Sequence, residues 1–208
     1  MPRNVPTVNI SAPIPPTPPE KRPYHHGRLR EALVAAGIEA LDRAPFEELR
    51  VRELARRVGV SPNAAYRHFA DREALLAAIA AEGFRRFGAS AIAANKDAPA
   101  SSTGLHSQGL AYVRFAREHR ALFRLMFGPM SRTSTDELAR ASAATFDVLR
   151  SAVAAELGAT ELDDPRVMVS AVYAWSLVHG LSYLALDGRL ETVGDVDAMI
   201  DAVLALAK

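Results

Sequence analysis

Asn63, Ala64, Tyr66, Arg67 and His68 form the stretch of the chain whose residue types could best do recognition chemistry together. A side-chain amide can bond adenine in a bidentate way, and an alanine methyl can touch the thymine methyl. Tyr, Arg and His can hold phosphate oxygens. The set suits the major groove of double-stranded DNA and serves no bond-making step. The bland alternative is a helical hairpin whose basic face is merely solvated.

The elements needed to present such a face can be read around it. Val51, Leu54, Ala55 and Val58 fall at i, i+3, i+4 and i+7, the apolar stripe of an amphipathic helix, with Arg52, Arg56 and Arg57 off the stripe. Gly59 admits the left-handed backbone of a sharp turn, and Val60 can plug the angle between two helices. Ser61 followed by Pro62 reads as an N-cap with proline at N1. The spacing therefore predicts a second, short helix from Pro62, with Ala65 and Phe69 inward and the recognition set outward. The expected DNA-contacting residues are Arg52, Ser61, Pro62, Asn63, Ala64, Tyr66, Arg67, His68 and Arg72. Asn63, Ala64 and Tyr66 would meet base edges, Arg52 a base or a phosphate, and Arg67, His68 and Arg72 the phosphate backbone.

The rest of the chain is consistent with a helical protein that carries this head. Its 208 residues allow one small domain and one larger one, and 49% hydrophobic residues indicate a globular core. No cysteine is present, which excludes disulfides, thiolate metal sites and a Cys nucleophile. The net charge of +1 hides a division. Residues 21–72 carry 11 Lys+Arg against 7 Asp+Glu, whereas residues 73–208 carry 13 against 16, so the basic excess sits with the motif. Residues 1–20, with Pro2, Pro6, Pro13, Pro15, Pro16, Pro18 and Pro19, predict a disordered, extended tail without the apolar run of a signal peptide; a cytoplasmic location is expected. Lys21, Arg22, Tyr24, His25, His26 and Arg28 then form a basic, partly aromatic lead that could lie on phosphates or be a solvated linker. His25 and His26 are adjacent rather than i, i+4 partners, and no metal or other cofactor is expected.

Helical period continues throughout and no strand pattern occurs, so the expected class is all-α. Leu29, Leu33, Ala36, Gly37, Ala40 and Leu41 mark a first helix, completing a three-helix domain over residues 21–70. A larger helical domain for effector binding and dimerisation would occupy residues 71–208. There Asp71 caps a long helix bearing Leu76, Ile79, Gly83, Phe84 and Phe87. Residues 95–104 read as a loop, residues 105–116 and 120–127 as helices, and residues 135–157 as a helix with Leu138, Phe146, Leu149 and Val153 inside. Asp164-Pro165 opens a segment with no charge from Val167 to Leu186. Its serines, His179 and tyrosines argue for a helix buried on two sides rather than a membrane span. One face would carry Met168, Val172, Trp175 and His179; the other, with Ala171, Ala174, Val178 and Leu181, could meet a second subunit. Met199, Ile200, Val203 and Leu204 of the last helix would serve the same purpose. No G-x-S-x-G, H-E-x-x-H, Gly-rich phosphate loop or paired carboxylates in an apolar run supports an enzyme.

The order of an Arg-bearing helix, Gly59-Val60-Ser61, a short helix ending Tyr66-Arg67-His68-Phe69, and then Ala70-Asp71-Arg72-Glu73-Ala74-Leu75-Leu76 resembles the N-terminal domain of TetR-type transcriptional repressors. Ala44-Pro45-Phe46 stands where many such sequences have a glycine turn. Trp175-x-x-x-His179-Gly180, with Leu125-Met126-Phe127-Gly128, is similar to the C-terminal domain of a TetR subgroup named for its Trp-His-Gly pattern. The resemblance implies a homodimer through the last two helices, a palindromic operator and an effector pocket whose ligand changes the spacing of the two heads. Tyr112, Phe115, Phe123, Phe127, Trp175, His179 and Tyr183, an aromatic set around a few polar groups, are the expected ligand contacts of a small, largely apolar effector. The alternative for each is a core side chain. The rival function is a helical interaction or scaffold protein without specific DNA binding.

Overall fold

A computed structural model describes residues 26–97, 104–128 and 135–206, and these contain nine α-helices and no strand. The proline-rich tail and most of the basic lead, with His25, lie outside the described residues. The head comprises α1 (His26–Leu41), a 3-10 turn (Phe46–Glu48), α2 (Val51–Arg57) and α3 (Pro62–Tyr66). Beyond it come α4 (Arg72–Lys96), α5 (Gly104–Glu118), α6 (Arg120–Phe127), α7 (Asp136–Leu157), α8 (Pro165–Leu186) and α9 (Val196–Leu206).

α4 is the axis of the molecule, since α1, α5, α6 and α7 all pack on it. The Asp71 carboxylate caps it by accepting from the Ala74 N–H at 2.7 Å, and Leu75 to Ala81 are buried in succession because neighbours surround its first half. Two small residues set the close approaches. A Cβ at Gly37 would stand 2.4 Å from Ile79 Cδ1, so a larger residue there would force the Ile79 side chain to shift where α1 lies against α4. Gly83 does the same for α6, with Met126 Sδ at 2.7 Å from the position a Cβ would take. Buried residues of the head and of the larger helices form one continuous cluster, from Leu29 to Leu204. A second, smaller cluster, Val153, Ala154, Val167 and Ala171, marks where α7 meets α8.

Two packing expectations are corrected. Val167, Ala171, Val178 and Leu181 turn inward, so the face expected to meet a second subunit is buried within the chain; on the other face Met168 and Val172 are exposed, whereas Trp175 and His179 reach Tyr112 of α5. A helix apolar on nearly every side gives periodicity no contrast from which to choose a face. α8 is also the described helix long and apolar enough to cross a bilayer, and here it packs along α5, α7 and α9. On α9, Ile200 and Leu204 are buried within the chain, Leu204 lying against Gly109 of α5, so this face is not free for a second subunit. The expected loop at residue 95 begins later, because α4 runs to Lys96.

Candidate nucleic-acid interface and ligand cavity

The head is built as its residue spacing predicts. Val51, Leu54 and Ala55 are buried, and Val58 is half-buried at the end of α2. The turn closes through the Val60 N–H donating to the Ala55 carbonyl at 2.9 Å, with Gly59 at φ 76° supplying the left-handed step. Ser61 Oγ accepts from the Ala64 N–H at 3.2 Å, and Pro62 occupies the first turn of α3, where its missing donor is harmless. Ala65 and Phe69 are the buried anchors. Helical geometry then leaves Asn63, Tyr66 and Arg67 exposed and Ala64 and His68 half-exposed. The Arg30 guanidinium lies 5.3 Å from the Phe69 ring centre and pins this anchor from α1.

The arginines around α3 divide by what they hold. Arg52, Arg56 and Arg67 have no hydrogen bond or ion pair among the described residues and stand exposed. Arg72, expected to grip phosphate, is engaged within the protein. Its Nη2 donates to the Phe46 carbonyl at 2.6 Å and its Nε to the Leu49 carbonyl at 3.0 Å. Those carbonyls belong to the 3-10 turn and its end, so the guanidinium ties α4 to the segment that leads into α2. A planar fork of donors suits that task as well as it suits phosphate.

A cavity of ≈ 1230 Å³ lies among α4, α5, α7 and α8, with α6 and α9 completing its wall. Phe84, Phe87, Phe146 and Trp175 supply aromatic wall, with Leu138, Leu149 and Val153 beside them. Phe146 and Leu149 are therefore half-buried rather than core. Of the expected ligand contacts, Tyr112, Phe127, Trp175 and His179 line the cavity. Phe115, Phe123 and Tyr183 do not. Phe115 packs 5.3 Å from Phe87, Phe123 is buried 5.7 Å from Tyr112, and Tyr183, one turn beyond His179, meets that ring at 5.0 Å. These three back the wall from behind. Sequence reasoning missed Gln108 and the α7 wall as cavity residues; their helical period signalled an inward face and nothing about what it would meet.

Three polar side chains meet in this wall. Tyr112 Oη lies 3.3 Å from Trp175 Nε1, which can only donate, and 2.8 Å from His179 Nδ1. Burial pushes the Tyr112 phenol well above its ordinary acid range, and burial likewise lowers the pKa of His179 and favours its neutral form. Glu137, at the start of α7, accepts from Arg30 of α1 and, at 3.3 Å, from Arg85 of α4, so the helix that walls the cavity is also ion-paired to the head.

A capped helix-turn-helix with an outward polar face, joined by one long helix to a cavity-bearing helical body, defines a class of helical DNA-binding protein. Comparison with known proteins names the family. Residues 33–79 match bacterial regulatory proteins of the tetR family, and residues 105–207 match the Tetracyclin repressor-like C-terminal domain. The chain belongs to the TetR family of transcriptional regulators. Among solved structures it is similar to a protein of unknown function from Rhodococcus sp. RHA1, at 32% identity over 90% of this chain and 97% of that one, with a TM-score of 0.75. A TetR family transcription regulator from Marinobacter aquaeolei VT8 shares the fold at a TM-score of 0.60 and 22% identity, covering 86% and 92%. Another TetR transcriptional regulator, also from Rhodococcus sp. RHA1, does so at 0.60 and 18%, covering 88% and 97%. Comparison with curated proteins gives no match.

Proposed function

We propose that the protein is a cytoplasmic repressor that binds a palindromic operator as a homodimer and leaves it when a small, largely apolar molecule fills the cavity. The observation that carries this reading is the junction of the two sites: α4 begins at Arg72, whose side chain holds the head's 3-10 turn, and its middle lends Phe84 and Phe87 to the cavity. Asn63, Ala64 and Tyr66 read base edges, Arg52 reaches a base or phosphate, and Arg67 and His68 grip phosphate, while Ser61 and Pro62 fix the start of α3. So short a helix reads only a few base pairs. Useful specificity requires two heads about one helical turn of DNA apart, or a multiple of it.

The second copy has a surface to meet on α8. Val169, Val172, Tyr173 and Leu184 are exposed, and between them stand Ser176 and Gly180, around whose Cβ position there is open space. Large apolar residues flanking small ones allow a second helix to approach closely. For release, the ligand must favour a conformation whose heads no longer match the operator spacing, and such coupling is typically about 1–3 kcal/mol. Selection of genomic fragments bound by the purified protein, followed by titration at several salt concentrations, tests the reading. Absence of any salt-dependent preference for one fragment over random duplex refutes it and favours a helical scaffold.

A further inference from the structure

The polar atoms of the cavity fix a direction of hydrogen bonding. The Trp175 indole N–H donates to Tyr112 Oη, which leaves the phenolic hydrogen for His179 Nδ1. The opposite assignment would bury the phenolic hydrogen without an acceptor, since Tyr112 is 6% exposed. His179 Nδ1 is thus an acceptor, the ring is neutral, and its proton sits on Nε2. That N–H has no acceptor among the described residues, although His179 lines the cavity. Two hydroxyls of the α7 wall are committed: Ser142 Oγ donates to the Ala139 carbonyl, and Thr145 Oγ1 shares its single hydrogen between the carbonyls of Phe84 and Ala141.

Gln108 adds an independent sign. It stands one turn before Tyr112 on α5, is 6% exposed, lines the same cavity and makes no hydrogen bond among the described residues. Leaving a buried amide unpaired costs about 1–3 kcal/mol, so a polar ligand atom would be well placed beside it. Charge completes the description. Among the described residues no Lys or Arg lines the cavity, whereas Glu156 and Asp201 do, and Asp201 is already paired with His106 at 3.2 Å. Arg117 and Arg124 are turned outward to Asp197 and Asp187, and Arg114 is exposed. An anion would be desolvated there without a partner.

We propose that this cavity takes an uncharged lipophilic carbonyl compound, whose oxygen accepts from His179 Nε2–H and whose polar end lies within reach of Gln108. The inference deepens the effector reading above by naming the ligand's chemistry. Tyr112 and Trp175 are positioning residues that hold the histidine in the donating tautomer.

Three probes of nearly one shape test it: benzophenone, diphenylmethane, which lacks the acceptor, and 4-benzoylbenzoate, which adds an anion. Trp175 is the single tryptophan and lines the cavity, so its fluorescence reports occupancy without DNA. Benzophenone is expected to bind at least tenfold more tightly than either companion. In His179→Phe that advantage should fall to about onefold, and Gln108→Met should reduce it in part. Tyr112→Phe keeps the packing and breaks only the relay, so it must lower the advantage as well, whether or not His179→Phe folds. Equal binding of diphenylmethane, tighter binding of the anion, no binding of the ketone, or an advantage that survives in both ring variants overturns the proposal. Because these titrations contain no DNA, they fail or succeed separately from operator binding, which a gel shift with and without benzophenone measures on the same preparation.

Discussion

Arg72→Ala separates two roles that one arginine could play at the edge of a reading head. If Arg72 holds the head together, the substitution leaves the Phe46 and Leu49 carbonyls without their charged donor. Charge-assisted hydrogen bonds contribute about 1.5–3 kcal/mol, and with the side chain 26% exposed part of that is recovered from water, leaving a loss of about 1–2 kcal/mol. For a chain of this size that is a fall in Tm of about 2–8 °C. A phosphate contact instead would leave Tm nearly unchanged and would reduce the slope of log K against log salt by about 0.9. Thermal melts and operator titrations over a salt series read both quantities on one protein. The geometry predicts a lower Tm with an unchanged slope, and it predicts that Arg72→Lys does not restore Tm, because an ammonium cannot span two carbonyls as the guanidinium fork does. A shallower slope with a normal melt would show that Arg72 grips DNA and that its carbonyl contacts are incidental.

Asn63→Ala should weaken operator binding by about 1–3 kcal/mol while sparing random duplex, as loss of a bidentate base contact does; equal losses on both would remove Asn63 from base readout. The Glu137 clasp should appear in a double-mutant cycle of Arg30→Gln and Glu137→Gln as a coupling of about 0.5–1 kcal/mol in urea unfolding, and strictly additive single effects would deny it. Leu184→Lys places a charge in the exposed apolar strip of α8, and sedimentation should show the dimer Kd raised about tenfold or more, equivalent to about 1.4 kcal/mol. An unchanged dimer would move the interface elsewhere.

What could be read from the sequence depended on contrast between neighbouring residues. α2 and α3 alternate sharply between apolar anchors and charged or polar positions, so their buried faces, the Ser61 cap and the Gly59 turn all follow from local chemistry. α8 lacks that contrast, and its Ala171, Val178 and Leu181 face, expected to meet a second subunit, is buried within the chain instead. Arg72 is ambiguous for a different reason. A guanidinium fork fits a phosphate and a pair of carbonyls equally well, and only the folded chain shows that the Phe46 and Leu49 carbonyls lie within its reach. The cavity required knowledge of six helices at once. Phe115 and Phe123 have the composition of ligand contacts, yet they stand behind the wall, while Gln108, a polar residue on an apolar face, is in it.

The packing around α4 explains how an event in the cavity could reach the head without a separate relay. From Arg72 to Phe87 is one uninterrupted stretch of α4, about 22 Å at 1.5 Å per residue. Gly37 and Gly83 leave no slack along it, since Ile79 and Met126 already occupy the space a Cβ would need. Thr145 Oγ1 bonds the Phe84 carbonyl at 2.9 Å and ties the α7 wall to the same stretch, while Glu137 at the start of α7 holds Arg30 in the head. A ligand that parts α4 from α7 must therefore break the Thr145 contact, strain the Arg30–Glu137 pair, or carry the head with it. Which of these happens depends on relative strength. The Thr145 bond is neutral and worth about 1 kcal/mol, the ion pair is half-exposed and worth about the same or less, and the close-packed glycine contacts cost about 1–3 kcal/mol to disturb. The weakest links are those between α7 and its neighbours. Separation should start there, leaving α4 and the head to move as one body.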